Sequence, residues 1–232
     1  MIQYDCDKPV IVMGSGPTAR NIYRSNLYYT CTVMLASFMC EETDFWVLND
    51  AHVLNDFNHS KLKTIKNLAI PEWPHSVRPN TSWPSSDHHS NKLTSHLKKY
   101  MSIHNFNIQT AKKFKLNYDK KLPFFNTTSS GESAIKWLHH KGFNKIITLG
   151  LDKEGGRHPD IPGRLSTGHK TPNVLTQKCG PAERYLKCHK RVVEFASNTK
   201  DLKIIRLITS EVNEKIIKDL NWEFENHCEI KL

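Results

Sequence analysis

The sequence predicts an α/β fold: a Rossmann-like open, mostly parallel sheet with helices on both faces, carrying a basic, proline-rich insertion. Three observations predict it. Two short runs, residues 10–13 (Val-Ile-Val-Met) and 145–149 (Lys-Ile-Ile-Thr-Leu), pass directly into glycine turns. A short apolar run closed by glycine is how a buried parallel strand hands the chain to its next connection. Helix-period segments alternate with further strand-like runs at the spacing of βαβ units. That rhythm fails between residues 58 and 121, where Pro71, Pro74, Pro79 and Pro84 bar a continuous helix.

At 232 residues and 38% apolar content, the chain is sized for one α/β core. The expected organisation is a single domain over 1–232, with 58–121 as an insertion or lid. No run approaches the ~18 apolar residues of a membrane helix. The acidic start (Met-Ile-Gln-Tyr-Asp-Cys-Asp) leads into a strand and lacks the pattern of a secretion signal. Six cysteines lie far apart without a CxxC. Reduced thiols in a cytoplasmic protein are therefore expected, and a zinc site on Cys179, Cys188 and His189 is not.

In chain order, strands are expected at 8–13, 31–39 and 44–48, with a helix from about Ala19 after the first. Within 58–121 the pattern allows one strand at 67–71 and helical pieces around 92–103. Residues 130–141 place Ala134, Ile135, Trp137 and Leu138 on a helical repeat, with Gly142 as the stop. A strand at 144–149 follows, then a loop over 153–180 rich in glycine and proline. A helix at 183–197, a strand at 202–207 and a short helix at 213–220 complete the chain.

The chemistry-bearing residues fall at the predicted carboxyl ends of strands, where open α/β sheets bind ligands. Gly14, Ser15, Gly16, Pro17 and Thr18 form a GxGP turn that lacks the third glycine of a dinucleotide fingerprint and the Lys-Ser/Thr of a P-loop. Ser129, Ser130 and Gly131 open a helix, where hydroxyls either cap the helix or hold a phosphate. Asp152 ends a central strand and is suited to a ribose or sugar hydroxyl, to catalysis, or to capping the next turn. Asn49 and Asp50 end another strand and offer an amide and a carboxylate to the same crevice. The loop after Asp152 carries Arg157, His158, Arg164, His169 and Lys170, cations and imidazoles fitted to a phosphate leaving group and to proton transfer.

Charge is distributed unevenly. The net charge is +10, and residues 58–121 hold twelve Lys or Arg against three acidic residues, a surplus of nine. Trp73, Trp83, Tyr100, Phe106, Phe114 and Tyr118 interleave with them. Such a stretch points to a polyanionic partner, with Lys98, Lys99, Lys112, Lys113 and Lys115 as candidate nucleic-acid contacts; a solvated lysine-rich surface is the alternative.

Together these blocks resemble the sialyltransferases of glycosyltransferase family 42 and related phage and bacterial Rossmann-like proteins of unknown function. The likeness covers about half the chain: the GSGPT turn, the strand ending WVLND, the TSSGESAIKWLHHKGFNKIITLGLD block and Gly168-His169. It departs at 58–121, and at Ser37, where an Asn is expected. The resemblance implies a nucleotide held by Gly14, Ser15, Gly16, Pro17 and Thr18 with Ser129, Ser130 and Gly131. It also implies contacts from Asn49, Gly150 and Asp152, and His169 as general base; the residues themselves offer Asp50 or His158 as substitutes. The expected function is a nucleotide-sugar-dependent glycosyltransferase, with no obligatory cofactor or metal and the nucleotide sugar as donor. DNA, as in phage enzymes that modify a hydroxymethylated base, is the expected acceptor, with action in the cytoplasm of the cell or host. The alternatives are a glycan sialyltransferase, a pterin-type pyrophosphokinase and a non-enzymatic nucleic-acid-binding protein.

Overall fold

The computed structural model describes residues 4–40, 42–48, 64–70, 107–110, 129–152, 158–161, 182–208 and 212–226. Seven strands among them form one sheet: β1 (Val10–Met13), β2 (Tyr29–Val33), β3 (Glu42–Val47), β4 (Thr64–Ile70), β5 (Asn107–Thr110), β6 (Lys145–Leu149) and β7 (Lys203–Arg206). Three helices accompany them: α1 (Ser130–His140), α2 (Ala182–Ser197) and α3 (Glu214–Asn226). The strand order is β5-β4-β3-β2-β1-β6-β7 and every pairing is parallel. The chain builds outward from β1 to β5, then returns to the other side of β1 for β6 and β7. The β1/β6 junction is therefore a topological switch point, as the Rossmann-like reading requires.

Strand alternation divides the core into two layers. Val10 and Val12 face a layer shared with Ala134, Ile135, Trp137 and Leu138 of α1 and Val192 and Ala196 of α2. Ile11 and Met13 face the opposite layer, with Ile217 and Phe224 of α3 and Leu35, Ala36 and Met39. Helices thus cover both faces, and all four β1 side chains are fully buried. None of Cys6, Cys31, Cys40 and Cys188 forms a disulfide among the described residues. Burial pushes the Cys40 thiol up to about 12, which keeps it protonated and inert.

Two expected elements take other forms. No helix starts at Ala19; residues 19–28 cross the sheet irregularly, burying Ala19, Ile22 and Tyr28. Side chains take up the backbone groups there. Arg20 donates to the carbonyls of Pro17 and Ala19, Tyr28 Oη donates to the Tyr23 carbonyl, and the Leu27 N–H donates to Ser25 Oγ. Such local bonds compete with the helical pattern.

The strand expected over 31–39 ends at Val33. Met34 adopts a left-handed conformation (φ 54°), and residues Met34–Met39 form a 3-10 helix. The Met34 carbonyl accepts from Trp46 Nε1 at 2.8 Å and from Ser37 Oγ at 3.2 Å, which fixes the bend. The remaining expected strands and helices form within a few residues of their expected bounds, with α3 running on to Asn226. Two strands, β4 and β5, come from the basic span and join the sheet edge. The helical pieces expected at 92–103 lie outside the described residues, as does the loop expected at 153–180 except for residues 158–161.

Candidate nucleotide site at the switch point

β1 and β6 run in register, with Met13 beside Leu149, so they end together and set two turns against each other. The Gly14 N–H donates to the Leu149 carbonyl at 2.8 Å, and the Gly16 N–H donates to the Gly150 carbonyl at 2.8 Å. Glycine is required by this approach. A Cβ on Gly16 would lie 2.7 Å from the Gly150 oxygen and also collide with the Asp152 carboxylate, while Gly150 itself sits at φ +61°.

Thr18 and Asp152 lock the two turns. The Thr18 N–H donates to Asp152 Oδ2 at 2.9 Å, and Thr18 Oγ1 donates to Oδ1 at 2.6 Å. The same hydroxyl oxygen accepts from the Gly150 N–H at 2.9 Å. Arg206, the last residue of β7, donates from Nη2 to Asp152 Oδ1 at 2.9 Å. Asp152 is 7% exposed, and a carboxylate this buried needs its charge paired and its lone pairs filled. Both of its oxygens are engaged by protein donors. Arg206 was not among the sequence candidates; its signal was a cation closing an apolar run (Lys-Ile-Ile-Arg) at the sheet's carboxyl edge.

The Gly-Ser-Gly-Pro-Thr turn therefore uses the N–H groups of Gly14, Gly16 and Thr18 internally, and Pro17 has none. Ser15 is half-buried, and its N–H has no acceptor among the described residues. Its carbonyl accepts from the His158 N–H at 2.9 Å. That bond docks residues 158–161 onto the turn, and Ile161 anchors them in the core.

The third element is the N-terminus of α1. Ser129 is the N-cap, its Oγ accepting from the Glu132 N–H at 3.1 Å. Gly131 packs so closely on Leu151 that a Cβ would stand 2.6 Å from Leu151 Cδ2. The first turn of α1 thus abuts the Gly150 turn, with the helix's positive end at the sheet's carboxyl edge. Below it, Glu132 is wholly buried between Lys136 Nζ at 2.7 Å and Arg191 Nε at 2.9 Å, tying α1 to α2.

The structure thus brings Gly14, Ser15, Gly16, Pro17, Thr18, Asp152 and His158 together at the switch point, with Ser129, Ser130 and Gly131 joined through Leu151. Asn49, Asp50, Arg157, Arg164, His169 and Lys170 lie outside the described residues, as do Lys98, Lys99, Lys112, Lys113 and Lys115. Among the described residues no three His, Cys, Asp or Glu side chains gather as metal ligands, and no helix is long and apolar enough to cross a membrane.

An open parallel sheet with a topological switch point between β1 and β6 defines a Rossmann-like α/β protein. No family model and no curated protein matches the chain. Among solved structures it is similar to the monofunctional alpha-2,3-sialyltransferase Cst-I from Campylobacter jejuni. The TM-score is 0.50 at 14% identity, over 100% of this chain and 83% of that one. At that identity the likeness is one of fold.

Proposed function

We propose that the protein is a glycosyltransferase that takes a nucleotide-activated sugar at the β1/β6 switch point and passes the sugar to a hydroxyl acceptor. The observation that carries this is the joining of the GxGP turn, the Gly150 turn and the α1 N-terminus at one strand edge. The fold shared with a sialyltransferase agrees with it. In this reading Ser15 and the first N–H groups of α1 meet the phosphate. Asp152, its oxygens already engaged, positions Thr18 and the turn and does not itself contact the sugar. His169 is the proposed base for the acceptor hydroxyl, with Asp50 the substitute. Arg157, Arg164 and Lys170 are proposed to offset phosphate charge, and Asn49 to contact the nucleoside. No metal is required.

A thermal-shift screen over CMP-, UDP-, GDP- and ADP-linked sugars tests the proposal. At one hundred times Kd a ligand stabilises the native state by about 2.7 kcal/mol. For a domain of this size that raises Tm by about 5–10 °C. One nucleotide class should give such a shift without magnesium. No shift from any of them would refute the assignment, and a shift confined to ATP with magnesium would favour a pyrophosphokinase.

The acceptor is proposed to be DNA, on the surplus of nine positive charges in residues 58–121. Lys98, Lys99, Lys112, Lys113 and Lys115 would meet phosphates, and the interleaved aromatics would stack on bases.

A further inference from the structure

We infer that His158 acts on the departing phosphate as a hydrogen-bond donor through Nε2–H, and not as the base that deprotonates the acceptor. The inference rests on the nucleotide-sugar reading above. Three observations carry it.

His158 is built into the switch point. Its backbone N–H holds the Ser15 carbonyl at 2.9 Å, and its own carbonyl accepts from the Ile161 N–H at 3.1 Å. Ile161 is fully buried, and Pro159 restricts the backbone between them. These bonds fix the backbone of His158 between the glycine turn on one side and the core on the other.

The ring's tautomer is fixed by its neighbour. Nδ1 lies 3.2 Å from the Asp160 N–H, which can only donate, so Nδ1 presents its lone pair. The Asp160 carboxylate, which would favour a proton on Nδ1, stands further off at 3.9 Å and is 75% exposed. The neutral imidazole then carries its proton on Nε2. A base working through Nε2 needs the opposite tautomer, and Nδ1 is occupied. The third observation is the state of that N–H. Nε2 has no acceptor among the described residues, and the side chain is only 14% exposed. A donor that reaches solvent and has no acceptor among the described residues, on a segment bonded to the Ser15 turn, suits an anion that arrives with the substrate.

In the reaction the bond between the anomeric carbon and the phosphate oxygen breaks, and its electron pair stays on the phosphate. The acceptor oxygen bonds to that carbon, and its proton goes to the general base. His158 transfers no proton; its N–H faces the charge that grows on the phosphate oxygen. Removing one such donor lowers kcat by roughly 10²–10³-fold in other enzymes.

Glutamine separates the two roles, because its side-chain amide donates an N–H near the Nε2 position yet cannot take up a proton. His158→Ala should lower turnover of the nucleotide sugar selected by the screen by about 10²–10³-fold. It should also weaken binding of the corresponding free nucleotide in calorimetry. His158→Gln should recover most of both. Two-bond proton–nitrogen NMR of the unliganded protein, with the His158 signal assigned by its loss in His158→Gln, should show the Nε2–H tautomer. A folded His158→Gln protein as impaired as His158→Ala, or an Nδ1–H tautomer, overturns the donor role while leaving the glycosyltransferase assignment standing. Wild-type protein that binds none of CMP, UDP, GDP and ADP overturns that assignment itself, and the phosphate role with it.

Discussion

The residue that most constrains the site is Gly16, and its constraint comes from protein, not from ligand. A Cβ there meets the Asp152 carboxylate and stands 2.7 Å from the Gly150 oxygen. Neither neighbour is a flexible side-chain end, since Asp152 is held by Thr18 and Arg206. Gly16→Ala should therefore destabilise the unliganded protein by about 1–3 kcal/mol, the usual range for overpacking a closed site. Urea unfolding of the two proteins without nucleotide measures it. Unchanged stability would mean the turns separate easily, and the glycine would then be explained by ligand approach. A bulkier Gly16 variant that lost nucleotide binding would say little about phosphate contact, because the turn itself would be displaced. The sequence made Gly14 and Gly16 visible, but not the reason for them. Only the register of β1 against β6 shows that the two glycine turns make room for each other.

At the level of elements, β1, β6 and the second half of β3 were legible because buried parallel strands are continuous apolar runs bounded by turns; Glu42-Thr-Asp44 at the start of β3 is polar. β5 was not, since Asn-Ile-Gln-Thr at the sheet edge has neither alternation nor an apolar run. The run over 31–39 misled for a related reason: a continuous apolar stretch does not distinguish a strand from a buried helical turn. Met34 divides it, held by the Trp46 indole from the neighbouring strand, a long-range contact that no local pattern contains. Helix α1 was legible from its repeat and its stop at Gly142, which takes φ +101°. Its start decides a question about the site. Ser129 Oγ is committed to the Glu132 N–H, so Ser129→Ala should destabilise by about 1 kcal/mol as a lost cap. Nucleotide affinity, measured by calorimetry well below the melting temperature, should change little, because the hydroxyl is already engaged. A large fall in affinity with stability unchanged would reassign that hydroxyl to the phosphate.

Across the whole molecule, charge and topology bear on the acceptor together. The basic span contributes β4 and β5, which lie three and four strands from β1 on the side away from β6. At ~4.8 Å between neighbouring strands, that sets its two described strands about 14–19 Å from the switch point. A single sugar does not bridge such a distance, whereas a polymer with one reactive group at the crevice can lie along that flank. The proposed reading of the nine surplus positive charges in the span makes that polymer a polyanion. If it is DNA, binding weakens with salt because each neutralised phosphate releases counterions, and log K falls by about 0.9 per contact for each tenfold rise in salt. Replacing Lys112, Lys113 and Lys115 together by glutamine should flatten that slope by up to about three units, and by less where only some of them touch phosphate. Nucleotide affinity should stay as in the wild type, since the three lysines belong to neither of the turns that build the switch point. Fluorescence anisotropy with duplex and single-stranded DNA between 50 and 200 mM salt, roughly the interval over which such contacts weaken binding most visibly, gives the slope. Binding absent for both forms of DNA, in protein that still responds to a nucleotide sugar, would leave the lysines as a solvated flank. The acceptor would then be a glycan presented directly at the crevice.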